Sequence, residues 1–291
     1  MRFTTLLLVL AGLSACQADQ TKSESQANET STSSVPTITD SITHLYQTYL
    51  GLLEDRLPPQ CVAERGKVNA ADAAPQDTLF FVFRENLKKV IRDKDIFGLL
   101  PHVHQNIKTG FGAENGLQSF IQMWELDSPE KIPQSRLWPT LESVLVLGGT
   151  FHGSGNEAYF EAPYLGPCWP DDAEPYEYGA VTGAGVRFRS GPSLNTQILK
   201  NLSYDLVKYI ETTPIEENIG GESHPWVKVQ LVDGTEGLLY GKFYRSPLDF
   251  RAGFQKGVDG QWKLVSLLAG DWCPKTGVRA SGRDELRRYG I

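Results

Sequence analysis

Val186-Arg187-Phe188-Arg189-Ser190-Gly191-Pro192-Ser193 alternates its side chains for four residues and then stops at Gly-Pro. Period-two alternation marks a strand with one buried face, and Gly-Pro marks a turn. The same grammar recurs downstream. Residues 198–202 and 206–210 are two further short apolar runs. Trp226-Val227-Lys228-Val229-Gln230-Leu231 alternates again and meets Asp233-Gly234, a tight hairpin signal. Gly237-Leu238-Leu239-Tyr240 closes the series, with Phe243 and Tyr244 behind it. Short strands at regular spacing, separated by turn residues, predict a small all-β barrel over residues 178–248.

These residues resemble a bacterial SH3-like domain. That family opens with V-x-V-R-S-G-P-S and continues to W-x-K-V and D-G-x-x-G-W-V. Here the opening, Trp226-Val227-Lys228-Val229, Asp233-Gly234 and Gly237 all match. Leu238 stands where the family usually has Trp, and the loop 211–223 is longer than usual and acidic. The resemblance implies a module that binds peptidoglycan peptide or another envelope protein. Trp226 and Phe188 read as barrel core, because large aromatics are usually buried. Tyr204, Tyr240 and Tyr244 suit an exposed groove, since each has an apolar body and a polar tip. Trp226, Tyr204, Tyr240 and Tyr244 are therefore the groove candidates.

Working outward, residues 41–177 read mostly as helices. Leu45, Tyr49, Leu52 and Leu53 recur at helical spacing, and the run 79–91 does so more strongly, with Asp77 as its cap. Further helices are expected over 94–100, 115–126 and 137–147, the last ended by Gly148-Gly149. Residues 158–162 read as a strand. After the barrel, residues 250–254 and 262–271 form a hairpin around Val258-Asp259-Gly260. Its pattern resembles the last two strands of cone-shaped α+β domains of the nuclear transport factor two type. The fold class is therefore α+β. The helical part (41–177) and the hairpin (249–273) make one discontinuous domain with the barrel inserted, and residues 274–291 are a polar tail.

At the other end of the chain, MRFTTLLLVLAGLSAC places Arg2 before an apolar run at 6–11 and small residues before Cys16. The run is too short for a permanent span, which needs roughly 20 apolar residues. A short apolar run with small residues before a cut reads as an export signal. With Cys at the boundary it resembles a bacterial lipoprotein signal (1–15). The resemblance implies cleavage before Cys16, acylation of Cys16, and a membrane anchor with no cofactor. Gln17 stands where Asp would resemble an inner-membrane retention signal, so a Gram-negative source points to the outer membrane, facing the periplasm. Residues 16–40 are Ser-, Thr- and Gln-rich and cannot bury enough surface to repay ordering. As a flexible tether they reach about 25–30 Å.

The net charge of −7 becomes −8 on loss of Arg2, the only charge in the signal. An acidic chain is a poor partner for nucleic acid, whose affinity rests on Lys and Arg. Cys61, Cys168 and Cys273 remain after lipidation. An oxidising compartment favours one disulfide and one free thiol. Cys168 and Cys273 flank the barrel, so their bridge would fasten both exits of an insertion. The rival pairs Cys61 with either one. His102-x-His104, with His152, invites a metal site, but no Cys or carboxylate cluster has zinc-like spacing, so none is assigned. No serine elbow, phosphate loop or dinucleotide glycine string occurs. Glu114, Glu125, Asp127, Glu161 and Asp271 are carboxylates without a visible pairing. The expectation is a non-catalytic binding protein of the cell envelope. The alternatives are a wall hydrolase with its site in the α+β body, or a small-ligand carrier using that body's cavity.

Overall fold

The computed structural model describes Tyr46 and residues 57–112, 115–153, 158–257 and 259–270. The signal, Cys16, the tether, Leu45, Tyr49, Leu52, Leu53, Glu114, Val258, Asp271, Cys273 and the C-terminal tail lie outside them.

A hairpin of two-residue strands, β1 (Ala63–Glu64) and β2 (Lys67–Val68), precedes a fifteen-residue helix. That helix, α1 (Thr78–Arg92), starts where Asp77 Oδ1 accepts the Phe80 N–H at 2.8 Å, the cap expected from the sequence. It buries Phe80, Phe81, Leu87 and Ile91 on one face. Lys94 is left-handed, with φ 53°, so α2 cannot begin at 94 and spans Ile96–Leu99. Then follow β3 (Val103–Lys108), α3 (Leu117–Met123), α4 (Leu137–Leu145), β4 (Thr150–His152), β5 (Tyr159–Ala162) and α5 (Leu165–Cys168). The third helix stops short of residue 126 because Glu125 adopts φ 53°.

Seven strands come next: β6 (Tyr178–Val181), β7 (Val186–Arg189), β8 (Ile198–Leu202), β9 (Leu206–Ile219), β10 (Glu222–Gln230), β11 (Glu236–Tyr240) and β12 (Tyr244–Arg245). They form one antiparallel sheet ordered β12-β6-β9-β10-β11-β7-β8. Only the 3-10 turn Gly241–Phe243 separates β11 from β12, yet they sit four strand steps apart. A flat sheet would hold them roughly 19 Å apart, at about 4.8 Å per step. A 3-10 turn advances only about 2 Å per residue. The sheet therefore curls, and it is a half-barrel.

Alternation gives this sheet two different faces. Val181, Val186, Phe188, Val207, Val229 and Leu239 fill the inside. Trp226, Leu238 and Tyr240, with Ile219 against them, form a small separate cluster on the other face. Gly237 is required by close approach: a Cβ there would stand 2.5 Å from the Phe188 ring. The stretch 211–223, expected as a long loop, is instead mostly regular hairpin, with Glu222 paired to Ile219. Gly220 and Gly221, both at positive φ, make its two-residue turn.

The chain then completes a second sheet, with β13 (Arg251–Lys256) and β14 (Trp262–Leu268) at its centre in the order β3-β14-β13-β5-β4. All its pairings are antiparallel except β14 with β3. Helices α1 and α4 pack against it over an aromatic core of Phe80, Phe160, Phe254 and Trp262, with Phe151 at the edge. This sheet is left at β5 and rejoined at β13, so the half-barrel lies between its strands in sequence. The α+β class stands.

Both sheets belong to one compact unit. Their seam holds Val68, Tyr164, Leu165, Trp169 and Ala180. Arg245 reaches across it, donating to Phe250 O at 2.9 Å and standing 3.4 Å from Ser143 Oγ. Beside the seam, Cys168 is bonded to Cys61, with Cα atoms 5.2 Å apart. This corrects the favoured Cys168–Cys273 pair. The bridge fastens the Pro-rich segment before α1 to α5, rather than closing the ends of the half-barrel.

Candidate functional site

The half-barrel carries a groove of about 240 Å³. Each wall follows from strand periodicity. In β10, Val227 and Val229 take the inside, which leaves Trp226 on the opposite face. In β11, Leu239 points inward and Tyr240 outward. In β7, Val186 and Phe188 are core residues, so Arg187 and Arg189 share the other side. The 3-10 turn adds Phe243, and the hairpin tip adds Ile219.

Trp226 is 1% exposed and Tyr240 5%. Trp226 Nε1 donates to Glu217 Oε2 at 3.2 Å. The Tyr240 hydroxyl stands 2.6 Å from Glu222 O and 3.1 Å from Glu217 O. Both aromatics are thus locked to the hairpin arm, and their rings meet edge to face with centroids 5.8 Å apart. Phe243 packs on Tyr240 but remains exposed. At the rim, Glu222 pairs with Lys242 at 2.8 Å and stands 3.4 Å from His224. Lys242, then His224, hold the Glu222 carboxyl below the usual carboxylate range.

Of the four groove candidates, the structure brings Trp226 and Tyr240 together and leaves out the other two. Trp226 is buried as expected, but in the outer cluster rather than the barrel core. Tyr240, expected to be exposed, is buried. Leu238, noted in the sequence as a departure from the SH3-like pattern, packs in that outer cluster beside them. Tyr204 packs at the seam, where its carbonyl accepts the Val68 N–H at 2.8 Å. Tyr244 lies over Gly179 and beside Tyr209, and burial pushes its hydroxyl pKa up. Sequence reading missed Ile219, Phe243 and both arginines. Arg187 and Arg189 stood in the first quoted strand, and their alternation with Val186 and Phe188 was the available signal.

The histidines do not converge. His102 ends a 3-10 turn and packs edge-on against Phe83, while His104 lies in β3. His152 faces Glu161 at 3.6 Å. Among the described residues no three His, Cys, Asp or Glu side chains group as metal ligands. Glu125 sits in the turn after α3, and Asp127 pairs with Lys131 at 3.2 Å. Cys61 and Cys168, bonded to each other, offer no thiolate. A second concavity, of about 500 Å³, lies on the face of the five-stranded sheet away from the helices. Lys108, Lys256, Lys263 and His104 line it, with Tyr159 standing 3.1 Å from Ser266 Oγ. Among the described residues no helix is long and apolar enough to cross a membrane.

Comparison of the chain with family models, with curated proteins and with solved structures found no match.

Proposed function

We propose that the chain is a lipid-anchored envelope protein with a binding rather than a catalytic role. Cys16 carries the anchor, residues 16–40 are the tether, and the half-barrel is an SH3-like reader of a peptidoglycan peptide or an envelope protein. The observation that carries this reading is the groove: two buried aromatics fixed by hydrogen bonds, with Phe243 exposed beside them. Phe243 supplies the exposed contact area, and the two buried rings behind it hold that wall in place, so little ordering cost falls on binding a short peptide. The matched residues from Val186 to Gly237 and the curled antiparallel sheet they form support the SH3-like assignment.

Two measurements test it. Cys16→Ser should move the protein from the membrane to the soluble fraction, and continued membrane association overturns the anchor. The full chain should sediment with purified peptidoglycan, and Phe243→Ser should weaken that. If neither version sediments, the groove reads a protein instead, and crosslinking from intact envelopes should capture one through wild type but not through Phe243→Ser. Failure of both arms ends the reading.

A second reading, a carrier of a small anion, draws on the lysine-lined concavity of the five-stranded sheet. Lys108, Lys256 and Lys263 supply the positive charge that such an anion would meet there.

A further inference from the structure

Arg189 is 3% exposed, the most buried charged side chain of the half-barrel, and it lines the groove. Its Nη1 donates to Thr196 O at 2.8 Å, which holds the turn after β7. A guanidinium has five N–H donors in a planar fork, so one carbonyl leaves most of them unused. Among the described residues no carboxylate pairs with it. The groove's own carboxylates are engaged elsewhere, Glu217 with Trp226 and Glu222 with Lys242. A buried cation without a counter-charge is costly, and the cost is relieved when an anion arrives. Arg187, exposed on the same side of the strand, adds a second positive charge at the mouth.

Resting on the reading of the half-barrel as a peptide reader, we propose that Arg189 is the carboxylate-binding subsite of this groove, with Arg187 beside it. The ligand is a wall peptide with a free carboxylate. The carboxylate would meet the guanidinium fork, which matches it in a planar, two-point geometry. The adjoining side chain would lie against Trp226, Tyr240 and Phe243. The volume of about 240 Å³ suits one or two residues rather than a whole cofactor, since drug-sized sites run roughly 300–1,000 Å³.

The test uses the full chain in detergent, with purified peptidoglycan as the probe, native or with its carboxylates amidated. Native peptidoglycan should bind, and amidation should weaken binding at least tenfold. That sign is diagnostic. The chain without residues 1–15 carries a net charge of −8, so nonspecific charge effects alone would strengthen binding to an amidated wall. Arg189→Gln should reproduce the loss on native peptidoglycan, and Arg187→Gln should give a smaller one. The amidation arm leaves the protein untouched, so it decides the question even if Arg189→Gln fails to fold. Equal binding to both walls overturns the carboxylate subsite while leaving wall binding in place. Binding to neither overturns the wall-peptide ligand and the subsite together.

Discussion

The two sheets solve the same burial problem with different side chains. The five-stranded sheet has helices on one face, and its core is aromatic: Phe80, Phe160, Phe254 and Trp262 meet ring to ring. Among the described residues no helical side chain joins the half-barrel's core, and the sheet curls around Val181, Val186, Val207, Val229 and the Phe188 ring, with Tyr244 packed against them. A helix packed on a sheet leaves a deep layer that large rings fill. A curled sheet brings its own strands close together, and compact β-branched residues fit that space. The difference also decides where aromatics are spare. In the half-barrel they gather on the outer face, and that is where the groove formed.

The largest expected effect concerns the seam. Replacing Cys61 with Ser frees a loop of 107 residues, worth roughly 4–5 kcal/mol on the chain-entropy model. If the sheets are energetically one body, urea unfolding keeps a single transition at lower midpoint. A split into two transitions would show that the contrast between the sheets extends to separate stability.

Next comes the helix-backed core. Phe80→Ala removes a ring that touches Phe151, Phe160, Phe254 and Trp262, and should cost about 3–5 kcal/mol in equilibrium unfolding. The half-barrel should fail through crowding instead. Gly237→Ala places a Cβ 2.5 Å from the Phe188 ring and 2.7 Å from Arg189 O, and should cost about 1–3 kcal/mol. A neutral Gly237→Ala would mean that the curled sheet gives way more easily than its packing implies.

The smallest effect is a pH dependence from His102, in the 3-10 turn that leads into β3. Burial, then Lys263, holds the His102 pKa below its ordinary 6.5. As pH falls through that value the unfolded chain takes up the proton first, so stability drops on the acid side. His102→Asn should flatten the melting temperature between pH 7.5 and 5 relative to wild type. Unchanged slopes would remove His102 as the source.

The strands of the half-barrel were legible because each buries one face, which writes period two into the sequence. Residues 211–219 escaped that reading because β9 there is largely exposed on both sides, so no alternation was imposed. The parallel pairing of β3 with β14 was invisible for another reason: it joins residues more than 150 positions apart, and no local pattern records it. The groove was half legible. Trp226 and Tyr240 stand out as aromatics, whereas a charged residue in a strand reads as solvated face, and only burial reveals Arg189 as something else. The cysteines could be counted but not paired, because proximity of Cys61 to Cys168 depends on how α5 packs.

One consequence follows from the order of strands in the five-stranded sheet. Its two middle strands, β13 and β14, are synthesised last, after every strand of the half-barrel. A ribosome that has reached residue 248 has made all seven strands of one sheet but only the flanks of the other. Until the hairpin emerges, Phe80 and Phe160 lack the surface that covers them. A premature stop in that window would yield a chain with all seven strands of the half-barrel and a greasy, unfinished body, a natural substrate for chaperones and proteases.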